Sequence, residues 1–258
     1  MIGGAAEPGS SSLTRLMTRL TLADPAWAVW KSVERAVTGA GDIDAVAPRS
    51  AWPTLTAAVA EWARAERLGP TIVCRHLPAT QVDVVCAGSA LVQIDLHERA
   101  AGVAGAETLT RMTELDDRGF RVVRPGARAL LVLLSRARRR RASLLRDDDR
   151  REIESLVASD PEGAQALAAE LGPLGWLLPR VLRELEKGNT SSRAALELEL
   201  FHLSCALRDP RQRLSWARYR LGRKCPVLTA LGSGRRVPDD RSRWIESVKR
   251  THPVLGET

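Results

Sequence analysis

Two aspartates, Asp42 and Asp44, are the residues of this chain whose type and spacing most clearly suggest chemistry. They flank Ile43 at the start of an apolar segment, and on a β-strand both carboxylates would point to the same face. Two carboxylates about 6–7 Å apart on one strand face are unfavourable unless a cation lies between them. Mg²⁺ is usually held by one or two carboxylates together with substrate phosphates. The pair therefore predicts a site for Mg²⁺, or for Mn²⁺ in its place.

The sequence around this pair resembles the signature of a known superfamily. Residues 29–32 (Val-Trp-Lys-Ser) are followed by nine residues and then by Asp42-Ile43-Asp44. This order is similar to that of the nucleotidyltransferase-fold superfamily, where an apolar residue, Gly, and Gly or Ser precede Asp-apolar-Asp by about ten residues. With the strand-like segment 91–97, it also resembles bacterial nucleotidyltransferase-like proteins. The similarity covers about residues 25–125.

The resemblance implies a third carboxylate on a later strand of the same sheet. Asp95 is preferred, because Gln93 and His97 would place polar groups on the same strand face. Asp83, flanked by Val82 and Val84, is the alternative. His97 could lie near the site, although a histidine on a strand is more often only hydrogen-bonded.

The activity implied by the resemblance is metal-dependent nucleotidyl transfer. A nucleoside monophosphate would pass from an NTP such as ATP to an unidentified hydroxyl acceptor, with release of pyrophosphate. Asp42, Asp44 and Asp95 would be both catalytic and metal-binding. The nucleotide phosphates would be bound by Ser32 and by the backbone of the turn that contains Gly39 and Gly41.

Lys31 departs from the superfamily pattern, because it stands where a glycine usually allows close approach to the phosphates. A lysine there could reach a phosphate as a point charge, or it could block that approach. The second possibility leads to an alternative function, a catalytically altered protein of the same fold that binds a nucleotide or a partner. Another alternative is a basic helical nucleic-acid-binding protein that uses the arginines between 136 and 141.

Composition favours an anionic partner and a cytoplasmic location. The formal net charge is +8, which suits a nucleotide or a nucleic acid. No apolar run approaches the length of a transmembrane helix, and the first residues do not resemble a secretory signal. The four cysteines lack the spacing of a metal site and are expected to be free thiols in a reducing compartment; they are Cys74, Cys86, Cys205 and Cys225.

The chain is predicted to be α+β, with a small mixed β-sheet core carrying helices and a mostly helical part after it. The division is a nucleotidyltransferase-like catalytic domain at 1–125 and a helical domain with a basic tail at 126–258. Helices are expected at 13–20, 26–37, 51–68 and around 107–115, then at 148–158, 161–171, 174–187, 191–208 and 210–221. Strands are expected at 42–47, 71–77, 81–86, 90–97 and 120–123.

Overall fold

The computed structural model describes residues 9–76, 79–86, 91–139, 145–186 and 192–208. The helices are α1 (Ser10–Ala23), α2 (Val33–Thr38), α3 (Trp52–Ala65), α4 (Ala106–Thr110), α5 (Pro125–Arg139), α6 (Asp147–Ser159), α7 (Pro161–Glu170), α8 (Leu178–Glu186) and α9 (Ser192–Arg208). The strands are β1 (Ala28–Lys31), β2 (Ile43–Val46), β3 (Thr71–His76), β4 (Ala79–Val85), β5 (Leu91–His97), β6 (Arg99–Ala100), β7 (Ala104–Gly105), β8 (Thr113–Leu115) and β9 (Arg121–Val123). The expected helix at 210–221 and Cys225 lie outside the described residues.

A seven-stranded mixed sheet forms the centre of the fold, with strand order β3-β4-β5-β2-β1-β9-β8. β2 is parallel to β5 and β1 is parallel to β9, whereas the other neighbouring pairs are antiparallel. β6 and β7 form a separate two-stranded sheet. The mixed α/β character predicted from the sequence is therefore confirmed.

Apolar side chains on the two faces of the sheet belong to two different clusters. On one face Ile94 of β5 packs with Leu16 of α1 and Val59 of α3, and all three are fully buried. On the other face Val46 of β2 and Leu131 of α5 belong to the second cluster. This second cluster also includes residues of α6, α7, α8 and α9, and α5 contacts β1.

The second cluster crosses the domain boundary expected near residue 125. It joins Ala28 and Val46 of the sheet to Leu131 and Phe201 of the helical region. Within the described residues, the helical region and one face of the sheet thus share this second cluster. The division at residue 125 stays a prediction.

The expected helix at 26–37 is wrong. Residues Ala28–Lys31 form strand β1, and the helix that follows, α2, covers only Val33–Thr38. All four residues of β1 are buried, so the strand lacks the polar–apolar alternation that distinguishes strands from helices. The expected helix around 107–115 is also shorter than predicted, because α4 ends at Thr110 and β8 begins at Thr113.

The helices after residue 145 agree well with the sequence pattern. α6 begins at Asp147, with three aspartates in its first turn, where negative charge complements the helix dipole. Pro179 lies in the first turn of α8, where a proline is tolerated. Cys86 and Cys205 are free thiols. Within the described part of the chain, no helix has the length and apolar character needed to cross a membrane.

Candidate metal centre

The pairing of β2 with β5 brings Asp44 and Asp95 together. The two strands are parallel, and Asp44 is the register partner of Asp95. Because register partners project to the same face of a sheet, the two carboxylates emerge side by side. Asp44 is 9% exposed and Asp95 is partly buried, so water screens their repulsion only weakly.

His97 completes a group of three possible metal ligands. It lies two residues beyond Asp95 on β5, and one ligand atom each from Asp44, Asp95 and His97 lie within 4.8 Å of one another. His97 Nε2 is buried and lies 3.5 Å from Asp44 Oδ1, which is longer than a well-formed hydrogen bond. A buried imidazole nitrogen beside two carboxylates has the donor set of a divalent metal site.

Lys31 forms a buried ion pair with Asp44. Its Nζ donates a hydrogen bond of 2.8 Å to Asp44 Oδ2, and Lys31 is 8% exposed. The pairing of β1 with β2 is irregular between Val29 and Lys31, and Lys31 becomes the register partner of Asp44 there. The lysine therefore neutralises one of the two buried carboxylates.

The pKa values of the two carboxyl groups move in opposite directions. Burial raises the pKa of Asp95 to about 6; the charge of His97 opposes this rise and that of Asp44 adds to it. Burial also acts to raise the pKa of Asp44, but His97 and Lys31 together outweigh it and hold that pKa below its ordinary value. The carboxyl group of Asp95 therefore takes up a proton more readily than that of Asp44.

Asp42 lies apart from this ligand group. It is exposed and precedes the first residue of β2, and it does not belong to the group formed by Asp44, Asp95 and His97. Its charge is still felt at Asp95, where it contributes to the raised pKa. The structure thus joins Asp44 to Asp95 more closely than to Asp42.

Asp83, the alternative third carboxylate, lies farther from Asp44. It belongs to β4, and β5 separates β4 from β2. Its carboxylate accepts two hydrogen bonds from Gln81 Nε2, at 2.9 and 3.0 Å. Gln93 is the register partner of Asp83 and donates to Asp95 in the same way, at 3.1 and 3.2 Å. These amides orient the carboxylates along the polar face of the sheet.

Ser32 and the two glycines lie in the connections on either side of α2. Ser32 has a left-handed backbone (φ 51°) between β1 and α2, and its side chain makes no capping bond. Gly39 ends α2 with φ 73°, a conformation that favours glycine. Gly41 lies beside the Arg35 side chain. A structural role accounts for Gly39, whereas the Ser32 hydroxyl has no capping partner.

The arginines expected to bind nucleic acid are only partly described. Arg136 Nε lies 3.1 Å from Asp149 Oδ1, so this arginine joins α5 to α6. The expected run continues to residue 141, and residues 140 and 141 lie outside the described residues.

Sequence reasoning placed Asp44 and Asp95 on one site but missed the Lys31–Asp44 ion pair. That pair depends on the strand irregularity at Lys31, which nothing in the sequence marks. Comparisons with protein-family models, with curated proteins and with solved structures find no match to this chain. Function is therefore argued from the site itself.

Proposed function

We propose that this protein is a divalent-metal-dependent nucleotidyltransferase that acts on an NTP and a hydroxyl acceptor. The observation that carries the proposal is the group of Asp44, Asp95 and His97, whose ligand atoms lie within 4.8 Å of one another. The group lies on adjacent parallel strands of a mixed sheet. Asp44 is preceded in the chain by strand β1, Ser32 and helix α2.

The residues present fit a divalent metal ion. Burial, with a smaller contribution from the neighbouring Asp44 carboxylate, raises the pKa of Asp95, and a bound cation would favour its ionised form. The buried Nε2 of His97, 3.5 Å from Asp44 Oδ1, would supply a third donor. When bound, Mn²⁺ or Mg²⁺ would neutralise phosphate charge and lower the pKa of the acceptor hydroxyl.

Residues around this group supply charge and orientation. Lys31 fixes one oxygen of Asp44 through the 2.8 Å bond, which leaves Oδ1 facing His97. Gln93 holds both oxygens of Asp95. With their side chains fixed by these neighbours, the two carboxylates are preorganised for binding.

The Lys31–Asp44 pair also supports a second candidate function. Its ammonium group places a protein cation on one of the carboxylates that would bind metal. A site whose positive charge comes from the chain itself would bind a nucleotide or partner without catalysing transfer. This alternative predicts nucleotide binding without pyrophosphate release.

Incubation with each of the four α-labelled ribonucleotides, Mn²⁺ and a cell extract as the source of acceptor tests the proposal. We expect label transfer and pyrophosphate release, both lost in Asp44→Asn and in Asp95→Asn. The matched control is Asp117→Asn, because the Asp117 side chain is 92% exposed. Unchanged label transfer in Asp44→Asn, at equal thermal stability, would refute the metal-centre assignment. Binding without transfer in the wild type would instead favour the second candidate.

A further inference from the structure

A cavity of about 590 Å³ lies between α2, α5 and α6. This volume is within the range of small-molecule sites, roughly 300–1,000 Å³. Ser32, which adjoins Lys31 in the chain, forms part of its wall. Charged residues dominate the rest of the wall: Glu34, Arg35, Arg128, Arg136, Arg146, Asp148, Asp149 and Glu152.

Most of the acidic groups in this wall have an arginine partner. Asp149 lies 3.1 Å from Arg136, and Asp148 is ion-paired with Arg151 at 2.5 Å. Glu34 receives two hydrogen bonds from Arg118, at 2.9 and 3.0 Å, but Arg118 also pairs with Asp116. Asp148 and Asp149 therefore contribute little net negative charge to the cavity, and Glu34 is neutralised only in part.

The cationic groups of the wall are not neutralised to the same extent. Arg35 donates to the backbone carbonyl of Ala40, and this bond leaves its charge uncompensated. Neither Arg128 nor Arg146 lies within ion-pair distance of an acidic group among the described residues. Among the described residues of the wall, three arginines thus have no ion-pair partner, whereas Glu152 is unpaired and Glu34 shares Arg118 with Asp116.

Arg128 is the most informative of these cations. Arg146 is exposed, whereas Arg128 is only partly accessible. Burial lowers the pKa of the Arg128 guanidinium, and the charge of Glu152 only partly opposes this effect. A partly buried guanidinium without a carboxylate partner is costly unless an anion from a ligand completes it.

We propose that this cavity binds a phosphate group, with Arg128 as its principal charge partner and the Ser32 hydroxyl as a further donor. A guanidinium offers the bidentate geometry that phosphate oxygens accept. The phosphate belongs either to the NTP or to a separate phosphorylated small molecule. Only the first of these sources rests on the proposed function.

Titration calorimetry of the full chain with pyrophosphate, in EDTA, tests the site without metal or turnover. Arg128→Gln is expected to weaken pyrophosphate binding about tenfold or more, because a charge-assisted hydrogen bond is lost. Arg128→Lys should retain part of the affinity. The matched control is Arg64→Gln, since Arg64 is exposed on α3 and does not line the cavity. Equal affinity of wild type and Arg128→Gln, or no binding by the wild type, would overturn the proposal.

A second variant tests the site because it should strengthen pyrophosphate binding. Glu152→Gln removes the unpaired acid of the wall, so pyrophosphate should bind more tightly by about threefold or more. Unchanged or weaker binding would contradict the proposal even if Arg128→Gln failed to fold. Competition by ATP in the same buffer distinguishes the two sources. If ATP displaces pyrophosphate, the phosphate belongs to the nucleotide. If ATP does not displace it, the cavity binds a smaller phosphorylated ligand.

Because these titrations omit metal, they can succeed where the proposed function fails. Pyrophosphate binding that depends on Arg128, together with no label transfer from any NTP, would support the cavity and refute the enzyme. Label transfer that is lost in Asp95→Asn, together with pyrophosphate binding that is unchanged in Arg128→Gln, would support the enzyme and refute the cavity.

Discussion

Lys31 Nζ lies 2.8 Å from Asp44 Oδ2, and the two side chains are only 11% and 13% exposed. This ion pair fixes the carboxylate at the centre of the candidate metal group. It also distinguishes the two neighbouring aspartates, because Asp44 has a lysine partner whereas burial raises the pKa of Asp95.

Removing the lysine should destabilise the fold. Lys31→Met leaves the Asp44 carboxylate buried without its cation, and we expect the free energy of unfolding to fall by about 2–4 kcal/mol. Urea denaturation at neutral pH measures the loss. In the double variant Lys31→Met/Asp44→Asn most of the loss should be recovered, because no unpaired charge remains. A double variant no more stable than Lys31→Met would contradict this account.

The pH dependence of stability should carry the signature of Asp95. Its pKa is about 6 in the folded protein and ordinary in the unfolded chain, so between about pH 4 and 6 the folded state binds more protons. Stability attributable to this group therefore falls as the pH rises through that window. At pH 7.5 Asp95→Asn should be more stable than wild type, by at most about 3 kcal/mol. The difference should shrink towards zero near pH 4, and a pH-independent difference would rule out this assignment.

The contribution of Asp44 to the stability of the fold should show the opposite pH dependence. Its pKa is held below the ordinary value, so its ionised form stabilises the folded protein above the unfolded pKa. This contribution is lost as the pH falls through the folded value. Asp44→Asn should therefore cost stability at neutral pH and progressively less in acid, as followed by thermal denaturation. A variant that lost as much stability at pH 3 as at pH 7 would argue against the ion pair as the cause.

Strand β5, which carries Asp95 and His97, could be predicted because its side chains alternate. In β5, the residues from Leu91 to His97 alternate between partly exposed and buried positions, and the sequence alone predicted the shared polar face of Asp95 and His97. β1 could not be predicted in this way, because it is buried on both faces. The Asp44–Asp95 register needed the resemblance, since parallel pairing joins strands that are distant in sequence.

The role of Lys31 was the hardest to predict. Its position suggested either contact with a phosphate or a block to the approach of the phosphates, and the structure pairs it with Asp44. The change results from the irregular pairing between Val29 and Lys31, which moves Lys31 opposite Asp44. Such a local shift depends on how β1 packs between β2 and β9 and has no signal of its own in the sequence.

Asp42 and Asp44 should differ in their effect on metal binding. Asp42 is exposed and outside the ligand group, so Asp42→Asn is expected to weaken Mn²⁺ binding less than about threefold through its long-range charge. Asp44→Asn should weaken it more than about tenfold, because a ligand atom is replaced by a neutral amide oxygen. Electron paramagnetic resonance of free Mn²⁺ measures both. Equal losses would restore Asp42 as a direct ligand.

The helix arrangement beside the proposed phosphate cavity should depend on Asp160. Its carboxylate accepts a 2.6 Å bond from Arg124 and backbone bonds from Gly126 and Gly163 at 3.1 and 3.0 Å. These bonds join the start of α5 to the start of α7. Asp160→Ala should lower the free energy of unfolding by about 2–4 kcal/mol, measured by urea denaturation. The exposed control Asp117→Ala should stay within about 0.5 kcal/mol of wild type, and similar losses in both variants would disprove a special role for Asp160.

The choice of metal should follow from the nitrogen ligand. Mg²⁺ prefers an all-oxygen environment, whereas Mn²⁺ accepts an imidazole beside two carboxylates. With His97 in the group, Mn²⁺ should bind more tightly than Mg²⁺. In His97→Gln the affinity for Mn²⁺ should fall by about tenfold or more, while that for Mg²⁺ changes little. Calorimetry with each metal, and with His202→Gln on α9 as the control, measures the difference. An equal fall for both metals would show that His97 acts on the carboxylates without binding the metal.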